Sequence, residues 1–279
     1  MFNFKIIGSG AFGQALGRFL PNSEVFSSKF KPLLNSNDIL IPAIPSKFTA
    51  DFLKNFFDSN KSEPAAIMLV SKGLSSSKLL SFEVAEVLDL PILFLAGPNL
   101  SKEMEHDSKL LSFSIAGPDS FKEPIIKSIP NAIIEYSNDL TLVQIASVIK
   151  NITAFLIGYL NLGENARSAL IMQGMKEAIK LSYLLNGKSE VNLESILQPC
   201  FSDFILTCTS QFSRNFQAGK DFIAKKQEGT KESLSSIYNL FEMIQGFGVC
   251  FPLIQATYDV IALKKDIDIN SLQENIIKF

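Results

Sequence analysis

The sequence predicts an α/β protein in which a doubly wound, mostly parallel sheet is followed by an all-α C-terminal domain. Three observations carry this. Over the first 140 residues, short and nearly continuous apolar runs alternate with amphipathic helical stretches, the pattern of a parallel sheet covered on both faces. The first of these runs passes directly into Gly8-Ser9-Gly10-Ala11-Phe12-Gly13 and from there into a helix. Beyond Asp139, helical periodicity replaces strand signals. The boundary falls near 138–140, giving domains 1–138 and 139–279.

The elements follow in order. Phe4–Ile7, Val25–Ser27, Ile39–Ala43, Ala65–Ser71 and Ile92–Ala96 read as strands, each closed by Gly, Pro or Ser, and Leu111–Ala116 and Ala132–Tyr136 extend the sheet. Ser137-Asn138-Asp139 supplies a helix start. Thr141–Leu185, Leu193–Leu197, Ser233–Gly246 and Leu253–Lys264 carry helical periodicity, and Asp266–Phe279 suits a short final helix. The polar stretch Lys220–Lys231 reads as a mobile loop.

Composition narrows the chemistry. Of 279 residues, 47% are apolar, and 28 acidic side chains face 26 basic ones, a balance of −2. A chain so close to neutral lacks the basic stripe of a nucleic-acid binder. There is one histidine, His106, and there are three arginines, Arg18, Arg167 and Arg214. Mechanisms that need several histidines, most zinc hydrolases among them, are excluded, so an enzymatic proton falls to Lys, Asp, Glu or Tyr. Cys200, Cys208 and Cys250 are odd in number and without CxxC spacing, which reads as reduced core thiols in a cytoplasmic protein. The start, FNFKII, lacks the form of a signal peptide. No uninterrupted apolar run approaches the roughly 18 residues of a membrane span, so membrane insertion is not expected.

The glycine segment has a strand before it, a helix after it and a second strand following. Gly8 permits the tight turn, Gly10 lets backbone approach a pyrophosphate, and Gly13 lets helix and strand pack closely. Amides at the helix start then face the anion. This is the fingerprint of a Rossmann dinucleotide-binding domain; the alternative is glycines that make only a turn. Where NAD-preferring versions end the second strand in a carboxylate, this chain has Ser27-Ser28-Lys29. Hydroxyls and a cation there favour NADP over NAD, unless Lys29 is an ordinary surface lysine.

From Leu140 to Gly163 the one charged side chain is Lys150. An amphipathic surface helix repeats charges along its wet face, so their absence indicates burial. Desolvation moves a buried ammonium toward the range useful for proton transfer, and such a lysine can protonate a carbonyl oxygen as hydride reaches carbon. The competing reading is a lysine that snorkels to solvent. Farther on, Asp203–Asn215 reads DFILTCTSQFSRN. Arg214, set among Ser213, Asn215 and the hydroxyls of Thr207, Thr209 and Ser210, is either a phosphate or carboxylate clamp or a surface arginine capped by Ser213. Asp203 either orients Lys150 or a substrate hydroxyl, or caps a helix.

Taken together, GSGAFGQALG at 8–17, SKGL at 71–74, AGPNLSKEM at 96–104, IKNITAFLIGYLNLGENARSAL at 149–170, QGMKEAIKL at 173–181 and DFILTCTSQFSRN at 203–215 resemble the bacterial NAD(P)-dependent glycerol-3-phosphate dehydrogenase family. The resemblance implies reversible reduction of dihydroxyacetone phosphate to sn-glycerol 3-phosphate with NADP or NAD, serving phospholipid synthesis. It implies that Lys150 is the catalytic proton donor and acceptor, and that Lys72 is a second active-site lysine touching substrate and cofactor. Gly97, Asn99, Asp203, Ser213, Arg214 and Asn215 match the substrate site, with Arg214 also near the nucleotide. Gly8, Gly10, Ala11, Phe12 and Gly13, then Ser28, Lys29 and Ser101, fall at cofactor positions, and so do Thr230 and Glu232 across a shortened loop. The expected partners are the small-molecule substrate and, as an assembly, a homodimer.

The chain departs from the family's pattern in places. Ser202 stands for a glycine, Asn99 for Ser or Thr, and Gln173 for an arginine, and two segments are shorter, after the second strand and between Gly219 and Glu232. Two other readings stay open: a related two-domain reductase of another small 2-oxo compound, and a non-catalytic nucleotide-sensing homologue.

Overall fold

The computed structural model describes the chain except residues 60, 61, 73, 76, 77, 98–110, 188–199, 224–230, 278 and 279, with backbone alone at 75 and 231–235. Contacts divide it into two compact units, Met1–Ser75 with Leu79–Val143, and Ser76–Lys78 with Gln144–Phe279.

The first unit is built on seven strands: β1 (Asn3–Ile7), β2 (Ser23–Phe26), β3 (Asp38–Pro42), β4 (Ala66–Leu69), β5 (Ile92–Ala96), β6 (Leu111–Ala116) and β7 (Ala132–Ser137). They form one sheet in the order β2-β1-β3-β4-β5-β6-β7. All neighbours are parallel except β5 and β6, which pair antiparallel with Phe94 opposite Ala116. Helices α1 (Ala11–Phe19), α2 (Ser46–Ser59), α3 (Leu80–Val87) and α4 (Lys122–Ser128) accompany the sheet. Because successive side chains point to opposite faces and both faces are covered, the central strands β4 (AIML) and β5 (ILFLA) are apolar throughout, whereas the edge strand β2 (SEVF) is not. Phe4, Ile6, Ile39, Ile41, Ala66, Met68, Leu93 and Leu95 enter one buried cluster with Leu16 of α1 and Ile125 of α4. Ile7, Leu40, Ile67, Leu69, Phe94 and Ala96 enter a second, with Leu53 and Phe56 of α2 and Val84 of α3.

The second unit is helical: α5 (Leu140–Leu160, whose first residues belong to the first unit), α6 (Glu164–Leu185), α7 (Phe201–Thr209), α8 (Arg214–Ile223), α9 (Lys231–Gln245), α10 (Pro252–Ile261) and α11 (Ile269–Ile277). The helical pattern of 141–185 is two helices, separated where Asn161 takes a left-handed φ of 48°. By length and composition α5 could cross a membrane, yet 89% of its apolar window is buried inside the protein.

Three expectations need correction or fall outside the description. Lys220–Lys231 is not one loop, because α8 continues to Ile223 and α9 begins at Lys231. Cys200 and Cys208 are buried free thiols, but Cys250 is exposed. Cys250 lies on the turn between α9 and α10, and it is the adjacent Phe251, 1% exposed, that points inward. The predicted helical stretch 193–197 lies outside the described residues.

Candidate active site

The glycine segment of the first unit shows what each glycine is for. Gly8 has φ +125°, and a Cβ there would stand 2.3 Å from the Ala43 carbonyl oxygen. A Cβ on Gly13 would stand 1.9 Å from the Gly8 oxygen. Both are therefore required by the fold itself. Gly10 is different: it is exposed, and a Cβ on it would meet nothing within 4 Å. Space over Gly10 and a bare helix start fit a bound pyrophosphate. Gly10 caps α1 without a side-chain bond, no acidic residue occupies the first turn, and the amides of Ala11, Phe12 and Gly13 precede the first intrahelical bond, Gln14 N–H to Gly10 O at 2.9 Å. A Gly10→Val chain should accordingly keep its fold, by circular dichroism and unfolding midpoint, while losing at least about tenfold in nicotinamide-dinucleotide affinity by fluorescence titration, since a branched side chain fills the space the anion needs.

Other positions in this unit lie where parallel sheets of this kind bind ligands, beyond the carboxyl ends of the strands. Lys72 is half-buried three residues past the end of β4, where the neighbouring Ser71 hydroxyl donates to the Ile44 carbonyl. Gly97 directly follows β5 with φ +151°, a conformation that favours glycine. Ser28 and Lys29 are exposed just beyond β2, and Phe30 stacks on Phe26 at 5.1 Å. Asn99, Ser101, His106 and Thr230 lie outside the described residues. Glu232 is on the first turn of α9.

In the second unit, Lys150 is 3% exposed, so it does not snorkel. Its ammonium is compensated inside the protein: Nζ lies 2.5 Å from Asp203 Oδ2 and donates to Thr207 Oγ1 at 3.2 Å. Thr207 Oγ1 in turn donates to Asp203 Oδ1 at 3.4 Å, across one turn of α7. A buried ion pair is sustained only with such added hydrogen bonds. Asp203, 2% exposed, sits in the first turn of α7, where a carboxylate also suits the helix dipole. The Cys208 thiol donates to the Lys150 carbonyl at 3.7 Å, and burial pushes this thiol far up, out of the reactive range.

Beside Lys150, Asn151 Oδ1 accepts from Asn215 Nδ2 at 2.8 Å. This pairing rests on close backbone approach of α5 and α8. A Cβ on Gly158 would stand 2.1 Å from the Phe216 oxygen, and one on Gly219 would stand 2.0 Å from the Phe155 oxygen. Ser213, 2% exposed, turns inward to cap α8 by accepting the Phe216 N–H at 3.4 Å, which leaves Arg214 exposed at the first position of that helix. Arg167 packs over the Phe216 ring at 5.3 Å from its centroid. Ser202 has a buried hydroxyl with no hydrogen-bond partner among the described residues.

The structure thus joins Lys150 with Asp203, and sets Asn215 on Asn151. Two members of the constellation were not assigned to it from the sequence: Asn151 was passed over, and Thr207 was named only among the hydroxyls near Arg214. Asn151 could have been found from its place next to the lone charge, and Thr207 from its spacing of four after Asp203, one turn of a helix.

A sheet with this strand order and glycine-lined first crossover, continued by a helical unit that holds a lysine–carboxylate pair out of water, defines a dinucleotide-dependent dehydrogenase. Comparison with known proteins makes the assignment specific. The C-terminal model of NAD-dependent glycerol-3-phosphate dehydrogenase matches residues 139–270, and the N-terminal one matches 19–116. A glycerol-3-phosphate dehydrogenase [NAD(P)+] of Ehrlichia ruminantium is 30% identical over 76% of this chain and 68% of its own. One from Ehrlichia chaffeensis is 28% identical over 87% and 79%. A solved structure of a Plasmodium falciparum glycerol-3-phosphate dehydrogenase shares the fold, with a TM-score of 0.80, 20% identity and coverage of 98% of this chain and 94% of that one. The chain belongs to the NAD-dependent glycerol-3-phosphate dehydrogenase family. The N-terminal match begins at residue 19, so the reading of Gly8–Gly13 rests on the geometry above.

Proposed function

We propose that this protein reduces dihydroxyacetone phosphate to sn-glycerol 3-phosphate with NADPH or NADH, reversibly, in the cytoplasm, and so supplies glycerophospholipid synthesis. The observation that carries this reading is the buried Lys150–Asp203–Thr207 cluster, with Asn151 and Asn215 paired beside it, in a member of this family.

Residues 1–138 bind the dinucleotide and residues 139–279 the substrate. The glycine segment 8–13 holds the pyrophosphate, Ser28 and Lys29 favour a 2′-phosphate, and Ser101, Arg214 and Glu232 add contacts to the nucleotide. When bound, the nicotinamide supplies the hydride for the ketone carbon. Lys150 Nζ donates the proton to the ketone oxygen, and Asp203 and Thr207 hold that nitrogen in one place, which keeps the acid oriented at no cost during the reaction. Lys72 stabilises negative charge as it develops on oxygen. Arg214 and Asn215 bind polar groups of the substrate, the phosphate among them, because a guanidinium presents a planar fork of donors to it. Gly97, Asn99 and Ser213 are assigned to substrate binding by the family resemblance.

A panel of ketones tests the substrate class. Nicotinamide oxidation should be fast with dihydroxyacetone phosphate and slower by at least about a hundredfold with unphosphorylated dihydroxyacetone or a 2-oxo acid, because the clamp's donors are then left unpaired. Faster turnover of a 2-oxo acid would assign the chain to a related reductase. Cofactor binding without turnover of any ketone would make it a nucleotide sensor. Running the panel with both cofactors tests the Ser28–Lys29 assignment at the same time.

A further inference from the structure

Away from Lys150, the second unit buries a carboxyl group that the proposed chemistry does not use. Glu177, on α6, is 0% exposed. Its Oε1 accepts the Leu253 N–H at 2.8 Å and Gln173 Nε2 at 3.2 Å, and its Oε2 accepts the Ile254 N–H at 3.2 Å. Leu253 and Ile254 are in the first turn of α10, where the start of a helix leaves amides without intrahelical acceptors. Glu177 is therefore the cap of a helix 76 residues away in sequence, and it ties α10 to α6. Pro252, at the first position of α10, fixes the turn that presents those two amides.

A carboxylate buried so completely ordinarily has a cationic partner. Among the described residues Glu177 forms no ion pair, and the side chain that reaches it is the neutral amide of Gln173. The other charged or titratable groups that act on it are Lys180, on its own helix, and the Cys250 thiol, on the turn that enters α10; α10 itself presents only backbone amides. A recess lined by Gln245, Gly248, Cys250, Phe251 and Gln255 opens at that same turn, next in sequence to the two capped amides.

We propose that Glu177 is a proton-controlled latch between α6 and α10: protonated, it holds the start of α10 in place, and ionised, it favours a local opening that lets water in. Loss of solvation raises its carboxyl to about 7, against lowering by the Leu253, Gln173 and Ile254 hydrogen bonds and by Lys180. The sign follows from linkage. In the opened state the carboxyl titrates near its ordinary 4.5, so the latch is fully closed below that pH, and its contribution is lost as pH rises through about 7.

Amide hydrogen exchange on the full chain between pH 5 and 8 tests this. After division by the intrinsic rate, the opening constant at Leu253 and Ile254 should rise by up to about tenfold per pH unit from pH 5 to 6.5 and level off above pH 7. Gln173→Arg places a cation against the carboxyl and should move that levelling down by at least about one unit. Glu177→Gln should give an opening constant that no longer depends on pH; should that chain not fold, wild type and Gln173→Arg still decide. A pH-independent opening constant in wild type, or a Gln173→Arg profile that coincides with it, would overturn the latch.

Discussion

Lys150→Met should lower kcat by roughly 10²–10⁴-fold, the ordinary contribution of a positioned general acid, which is the role proposed for this lysine. The same substitution leaves Asp203, 2% exposed, without its cation, and an unpaired buried charge costs on the order of 3–5 kcal/mol. A dead enzyme alone would therefore not distinguish a lost proton donor from a damaged fold. The double change Lys150→Met with Asp203→Asn separates the two. It removes both charges while keeping the volume, so most of the stability returns, read as the urea midpoint, whereas turnover stays low. A double variant that turned over at the wild-type rate would remove Lys150 from the chemistry. A single variant as stable as wild type would contradict the buried pair. Thr207→Val should fall between, because it deletes one acceptor for Nζ and one donor to Asp203.

The second large effect is expected where no catalytic group changes. Gly219→Ala puts a methyl group 2.0 Å from the Phe155 carbonyl oxygen and 2.7 Å from the Tyr159 nitrogen, both in the backbone of α5. Neither can yield without moving a helix, so α8 must shift outward, at a cost of about 2–3 kcal/mol. The shift carries Arg214 and Asn215 with it and breaks the bond between Asn215 and Asn151. Displacement of substrate-binding groups by an ångström costs on the order of 10²-fold in kcat/KM. Gly246→Ala is the matched control: a Cβ there meets nothing within 4 Å, and its change should stay within about 1 kcal/mol with kinetics unaltered. Equal behaviour of the two variants would show that the α5–α8 contact is not what positions the Asn215 side.

How much of this could be read from the chain depends on whether the signal is local. The strands of the first unit were legible because each is short, rich in apolar residues and closed by a breaker. The glycine segment was legible as well, since strand, turn and helix follow one another directly. The antiparallel placement of β6 was not, because it is set by a long connection rather than by the strand's own residues. Burial of Lys150 could be inferred from the silence around it, one charge in twenty-four residues, and Asp203 was one candidate to orient it, but nothing in the sequence chose that reading over a helix cap. The extents of α7 and α8 were obscured by the polar run Thr207–Asn215, which serves as a helix end, a turn and a cap in succession. Glycines 158 and 219 looked like ordinary helix residues, since each is required only by the backbone of the other's helix. Glu177 carried no mark at all: within its own helix it sits among polar and charged neighbours, and only the arrival of α10 makes it a cap. Cys250 was misread for the complementary reason, an apolar neighbourhood in sequence that faces outward on a turn.

The most direct test is a single assay of the wild-type protein: nicotinamide oxidation followed by absorbance on addition of dihydroxyacetone phosphate, first with NADPH and then with NADH. The account predicts oxidation that depends on the ketone phosphate and yields an equal amount of sn-glycerol 3-phosphate. Protein that binds either cofactor yet oxidises neither when the ketone phosphate is added would contradict it.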